Sequence, residues 1–266
     1  MYLPDQHDSI GVFDSGIGGL SVANAISGLL PRESILYVSD NHHAPYGART
    51  DAEVFDFSRR ITDRLLAAGA KLIVVACNTA TSIAIDGLRA AYPEVPFVGL
   101  EPAVKPAASG RAIGVLATAV TLRSARYRSL RERYLAGRPV WENPCTGLVE
   151  RIEAHGPGSV EVRSYLTELL AGQQHLDTVV LGCTHYPLVA DDIRAALPAG
   201  ARVIDPSGAA ARQVERLLRQ GGLLGTGEGG RYDFLCTGGS APLQRTLLAL
   251  PRLNAARRWV IPVVRI

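Results

Sequence analysis

The sequence predicts an α/β protein of two similar units, each with a parallel-type sheet, facing each other across a central cleft about a pseudo-two-fold axis. Three observations carry this. Short β-branched apolar runs alternate with segments of helical period along the chain, the pattern of strand-helix-strand units. Two of those runs, residues 72–75 and 178–181, each deliver a cysteine followed by small polar residues: Ala76-Cys77-Asn78-Thr79-Ala80 and Gly182-Cys183-Thr184-His185-Tyr186. Finally, Gly114-Val115-Leu116-Ala117-Thr118 repeats the strand-end character of Gly11-Val12-Phe13-Asp14-Ser15 at an offset of 103 residues, close to the 106 that separate the two cysteines.

Taken in order, a buried strand is expected over 9–14, ending on Asp14. The glycine-rich turn Ser15-Gly16-Ile17-Gly18-Gly19 follows, then a helix over 20–30. Such glycines let a backbone approach a bound anion. The turn nevertheless lacks the lysine of a P-loop and the spacing of G-x-G-x-x-G, so a nucleotide site is not indicated. A strand over 35–39 stops at Asp40, and Asn41-His42-His43-Ala44-Pro45-Tyr46-Gly47 reads as a loop. With no third ligand at useful spacing, His42 and His43 are expected to face solvent.

A helix over 52–68, the strand leading to Cys77, a helix over 79–92 and a short strand over 95–98 complete this run. Two prolines in Leu100-Glu101-Pro102-Ala103-Val104-Lys105-Pro106 mark a crossing between units. Beyond it come a strand over 114–118, a helix over 122–135 and a strand near Val140. Helices over 148–154 and 160–170, the strand to Cys183, a helix ending near Leu197 and a strand over 202–205 follow. The tail carries a helix over 209–220, a glycine-rich loop over 221–230, a strand over 232–236 and a final helix. It is expected to pack back on the first unit. The domains are then 1–100 plus 207–266, and 101–206.

Composition excludes several classes of function. A hydrophobic share of 47% with 20% charged residues is that of a globular protein, and a dispersed net charge of +3 does not make a nucleic-acid surface. No apolar run approaches the length of a membrane span. Residues 1–8 have neither a basic nor an apolar region, so no secretory signal is expected. Cys77, Cys145, Cys183 and Cys236 contain no C-x-x-C pair, which argues against a zinc ribbon or dithiol centre. Reduced thiols in a cytoplasmic protein are expected. The only lysines, Lys71 and Lys105, lack a pyridoxal setting. Neither a metal nor a cofactor is therefore expected.

A cysteine at the carboxyl end of a parallel strand lies where α/β proteins bind ligands, and a helix N-terminus beside it favours the thiolate. A lone buried cysteine can be no more than a small hydrophobe. Two in matching contexts suit a disulfide switch, half of a metal site, or acid–base chemistry on opposite faces of one carbon. The last is what inversion at a stereocentre requires. Asp14 and His185 are placed to adjust the protonation of these thiols. Ser15, Asn78, Thr79, Thr118, Thr121 and Thr184 offer hydrogen bonds to a carboxylate or an ammonium group. Their alternative roles are structural: Asn78 and Thr184 as helix N-caps, His185 packed in a first turn, Asp14 shaping the glycine turn.

Asp14-Ser15-Gly16-x-Gly18-Gly19, Pro45-Tyr46-Gly47, Cys77-Asn78-Thr79-Ala80, Thr118-x-x-Thr121-x-x-Ser124 and Leu181-Gly182-Cys183-Thr184-His185-Tyr186-Pro187 resemble glutamate racemase, in order and spacing, over nearly the whole chain. The resemblance implies a cofactor-independent enzyme that interconverts L- and D-glutamate for peptidoglycan synthesis. Glutamate is then the small-molecule substrate, no nucleic acid or membrane is required, and a homodimer is expected. The resemblance also implies Cys77 and Cys183 as the two bases, assisted by Asp14, Glu153 and His185. Substrate contacts would come from Asp14-Ser15, Tyr46-Gly47, Asn78-Thr79 and Thr184-His185. Glu150 and Glu153 both fit the assisting acid, and Glu153 is preferred because it ends the apolar pattern as the family's acid does. Competing readings are an aspartate racemase of the same superfamily, a thiol-based redox or metal regulator using Cys77, Cys183 and His185, and a binding module for a dicarboxylic amino acid.

Overall fold

The computed structural model describes residues 8–255, so the signal-peptide reading of residues 1–7 lies outside the described residues. The alternation legible in the sequence is realised as β1 (Ser9–Asp14), α1 (Leu20–Leu29), β2 (Ile35–Ser39), α2 (Asp51–Ala67), β3 (Ala70–Val75), α3 (Asn78–Ala91) and β4 (Phe97–Gly99). After the proline-rich crossing, which holds the short helix α4 (Val104–Ala107), come β5 (Ile113–Ala117), α5 (Ala119–Arg123), α6 (Ala125–Leu135), β6 (Val140–Asn143), α7 (Leu148–His155) and α8 (Val160–Leu169). The chain continues through β7 (Thr178–Gly182), α9 (Ala190–Ala196), β8 (Arg202–Ile204), α10 (Ser207–Gln220), β9 (Tyr232–Cys236), α11 (Ala241–Leu248) and α12 (Pro251–Ala255).

The strands form two all-parallel sheets. One has the order β4-β3-β1-β2-β9 and the other β6-β5-β7-β8. Read from opposite ends, β4-β3-β1-β2 and β8-β7-β5-β6 are the same arrangement. The repeat seen in the sequence is thus a repeat of topology. In each sheet the strand that leads to a cysteine, β3 or β7, pairs with the strand that ends one residue short of a hydroxyl residue, β1 before Ser15 or β5 before Thr118. The tail returns as expected: β9 pairs with β2 and extends the first sheet.

Parallel strands are covered on both faces and therefore read as continuous apolar runs. β1, β2, β5 and β7 are buried at every position. One apolar cluster joins the two sheets, running from Ile17, Leu20 and Tyr37 to Leu148, Ile152 and Tyr186. Truncating a fully buried member such as Leu181 to alanine is expected to cost about 2–5 kcal/mol.

Local chemistry sets the helix ends. Thr50 and Glu53 form a capping box at the start of α2, a device that contributes about 1 kcal/mol. The expected single helix over 122–135 is two helices, because Ser124 is extended (φ −65°, ψ 145°) and accepts the N–H of Tyr127 to start α6. The helix after Cys183 is likewise split. It opens with a 3-10 turn, Tyr186–Val189, in which Pro187 has no N–H to give. The final helix is also a pair, α11 and α12.

Candidate active site

Both cysteines open onto one narrow cleft between the two sheets. Of the residues singled out in the sequence, Ser15, Tyr46, Gly47, Cys77, Asn78 and Thr79 line it from the first sheet, and Thr118, Cys183, Thr184 and His185 from the second. Asp14, Glu153 and Thr121 do not. They lie immediately behind the lining, each bonded to a residue that is part of it.

Cys77 is the N-cap of α3. Its sulfur accepts the N–H of Ala80 at 3.5 Å and lies 3.7 Å from the Ser15 hydroxyl. Asn78 is therefore not the cap but the first helical residue, and its side-chain amide donates to Leu100 O at 3.1 Å. The thiolate expected at this helix N-terminus is not favoured. Burial and the nearby Asp14 carboxylate push the Cys77 thiol up to about 12, and its hydrogen bonds with Ala80 and Ser15 offset only part of this.

Cys183 lies just past the end of β7, where the chain enters a tight turn rather than a long helix. Its sulfur is 3.9 Å from His185 Nδ1, and His185 Nε2 is 2.8 Å from Glu153 Oε1. Burial alone pushes the imidazolium pKa down. The hydrogen bonds to Cys183 and Glu153 outweigh it and hold His185 well above its ordinary value. Glu153, and not the exposed Glu150, is the carboxylate that the fold brings to His185.

Contacts across the sheets lock these groups in place. Asp14 accepts the Gly16 N–H at 3.0 Å and the Thr184 hydroxyl at 3.1 Å, so Thr184 reaches into the first sheet rather than capping a helix. Glu153 Oε1 also accepts the Ile17 N–H at 2.9 Å. A Cβ at Gly16 would collide with the Glu153 carboxylate, and one at Gly18 with His185 and Thr184. Among the described residues the glycine turn thus serves close approach by side chains of the second sheet. The sequence showed only that close approach is possible there, because glycine signals room without saying what fills it.

Thr121 is fully buried; it donates its backbone N–H to Thr118 Oγ1 at 3.2 Å and accepts the Thr118 hydroxyl at 3.0 Å. Thr118 Oγ1 is also 3.2 Å from Thr79 Oγ1, which joins the two walls of the cleft. Tyr46 donates its hydroxyl to Asp40 at 2.6 Å. The same carboxylate accepts Thr237 and holds His43 at 2.8 Å, while His43 stacks on Phe57 with ring centroids 4.0 Å apart. His43 is accordingly an anchored loop residue, not the solvent-facing one expected; His42 is exposed. Among the described residues no group of three or more His, Cys, Asp or Glu is arranged to hold a metal. Sequence reasoning missed Ser21, whose hydroxyl is 3.1 Å from Thr184 O, and Tyr37, which donates to Gly16 O at 2.7 Å. It also missed Val149, an ordinary member of an apolar helical pattern that lines the cleft.

Residues 20–214 match the profile of the Asp/Glu/Hydantoin racemase family. A glutamate racemase of Pseudomonas aeruginosa is 47% identical over 245 residues, covering 90% of this chain and 92% of its own. Among solved structures, a glutamate racemase of Escherichia coli in complex with L-glutamate and the activator UDP-MurNAc-Ala has a TM-score of 0.82 at 31% identity, over 93% of this chain and 96% of that one. A glutamate racemase of Francisella tularensis in complex with D-glutamate has a TM-score of 0.81 at 28% identity, over 98% of both chains. Fold, profile and relatives agree, and the chain belongs to the Asp/Glu/Hydantoin racemase family of isomerases.

Proposed function

We propose that this chain is a cofactor-independent glutamate racemase in which Cys77 and Cys183 are the two bases, supplying D-glutamate for peptidoglycan synthesis. The observation that carries this reading is the pair of buried thiols, one from each sheet, lining a single cleft. One sulfur, as thiolate, takes the α-hydrogen of glutamate as a proton. The electron pair left on the α-carbon delocalises into the adjacent carboxylate. The other thiol then delivers its proton to the opposite face. The product has inverted configuration, and the thiol and thiolate have exchanged places.

The surroundings divide the labour. Burial, reinforced by the Asp14 carboxylate, keeps Cys77 protonated and ready to give a proton. Protonated His185, held by Glu153, presents a cation to Cys183. Asn78 spends its N–H on Leu100, which leaves its buried Oδ1 without a partner at the cleft wall. An orphaned acceptor there suits a substrate ammonium group. The same ammonium, entering beside Asp14, offsets the carboxylate's effect on Cys77 and lets that thiol also act as base. Ser15, Tyr46-Gly47, Thr79, Thr118 and Thr184-His185 supply the remaining polar contacts to the two carboxylates, with Thr121 orienting Thr118.

Residues 1–100 plus 207–266 and residues 101–206 are two domains that close on the substrate, in a homodimer in the cytoplasm. All four cysteines are free, which suits a reducing compartment. No described helix is long and apolar enough to cross a membrane. Sedimentation equilibrium tests the dimer. Polarimetry on L-Glu, D-Glu, L-Asp and D-Asp without added cofactor tests the activity. Decay of rotation with both glutamate enantiomers and not with aspartate is expected. Activity confined to aspartate, or requiring zinc or pyridoxal phosphate, would contradict the proposal.

A further inference from the structure

Glu153 is held at both ends by the part of the chain that carries Cys77. Its carboxylate accepts the Ile17 N–H from the glycine turn after β1. Its backbone carbonyl accepts Arg245 Nη2 at 2.6 Å, and the next carbonyl, of Ala154, accepts the same nitrogen at 3.1 Å. Arg245 stands on α11, which follows β9 of the first sheet. Glu153 and Ala154 stand in the last turn of α7, where carbonyls lack intrahelical partners and the helix presents its negative end. The helix closes at Gly156 with φ of +86°, and a Cβ there would come within 3.0 Å of Arg245 Nε. The glycine therefore serves the backbone turn and also leaves room for the guanidinium.

We propose that Arg245 is a positioning residue for racemisation: by capping α7 from the first-sheet side it fixes Glu153 against His185, and through His185 it governs proton transfer at Cys183 alone. This rests on the two-thiol reading above. No part of α11 is among the residues lining the cleft, so Arg245 acts only through the helix end it holds. Losing it lets the end of α7 drift, lengthens the Glu153–His185 bond and slows every step in which Cys183 takes or gives a proton. Cys77, bonded to Ser15 and Ala80, is untouched.

The test is the primary isotope effect on kcat/KM with α-deuterated L- and D-glutamate. Arg245→Gln is expected to lower kcat/KM by about two- to fivefold, the worth of a partly exposed cation at a helix C-terminus. The fall must be equal for both enantiomers, because they have equal free energy in water. The isotope effect should rise for the enantiomer that Cys183 deprotonates, since that abstraction becomes more limiting, and fall for the other, since its abstraction precedes the slowed step. Hydrogen exchange by Cys77→Ala identifies which enantiomer is which. Arg245→Lys, which keeps the cation but not the fork, should shift both effects in the same directions by less. Gln244→Ala, on the same helix, should shift neither. A merely structural role lowers the amount of active enzyme and leaves isotope effects unmoved. Unmoved effects in both Arg245 variants, or effects that move together, would overturn the proposal. If wild-type protein exchanged neither α-hydrogen, the two-thiol reading would fall with it; unmoved isotope effects beside an active wild type remove only the role of Arg245.

Discussion

The two thiol sites begin from nearly the same sequence and end in opposite electrostatic settings. Each follows a buried parallel strand in the equivalent position of its sheet, and their exposures are almost equal, 6% for Cys77 and 5% for Cys183. Burial alone cannot distinguish them. The neighbours do. Cys77 caps a fourteen-residue helix but has the Asp14 carboxylate nearby. Cys183 opens a short turn and has the His185–Glu153 pair beside it. A repeated fold can thus place two like groups in equivalent positions around one cleft while giving each different charged neighbours.

Removing either sulfur is expected to have the largest effect. Cys77→Ala and Cys183→Ala should each lower racemisation by at least about 10³-fold, as expected for loss of a group that transfers the proton itself. Coupled assays in both directions measure this. The Cys183 side is weakened next by its own partners: His185→Gln is expected to lower kcat/KM by about 10²-fold, and Glu153→Gln by about tenfold, as loss of a charge-assisted bond implies. Gly18→Ala, whose methyl group would overlap His185 and Thr184, should resemble His185→Gln in kinetics although the imidazole remains.

A smaller effect sharpens the Cys77 side. Its thiol pKa is raised from 9.0 to about 12, so in substrate-free protein Cys77 stays protonated through pH 8. The rate of its alkylation by iodoacetamide, followed by mass spectrometry of the Cys77 peptide, should still be climbing well above pH 9. Asp14→Asn removes the anion that contributes to this and should speed alkylation at pH 8 by about three- to tenfold, equivalent to half to one pKa unit. Alkylation of Cys77 that levels off at or below pH 9 would remove the asymmetry between the sites.

How much of this could be read in the sequence depends on the range of the interaction involved. The two similar units and the positions of their strands followed from near-equal offsets and from β-branched runs, because parallel pairing needs strands buried on both faces and leaves a continuous apolar pattern. Residues at the strand ends, from Ser15 to Thr184, were legible for the same reason. Helix ends were less so. Ser124 interrupts a convincing helical pattern because its hydroxyl competes for a backbone N–H, and Cys77 takes the cap that Asn78 would ordinarily claim. The contacts between sheets were not legible from local pattern. Nothing near Gly16 announces that Glu153, far along the chain, fills the space above it. Local pattern likewise does not separate Glu153 from Glu150; only the pitch of α7 against His185 does. The raised Cys77 pKa was misjudged because a helix N-terminus is visible in a sequence whereas the depth of Asp14 is not.

If each thiol serves one face of the substrate carbon, α-hydrogen exchange into deuterated water reads the assignment directly. Cys77→Ala and Cys183→Ala are incubated separately with L- and D-glutamate, and deuterium at the α-carbon is followed by NMR with configuration checked by chiral chromatography. Each variant is expected to exchange one enantiomer only, with retention, and the two variants to choose opposite enantiomers. Exchange of the same enantiomer by both variants, or racemisation by either at near the wild-type rate, would contradict it.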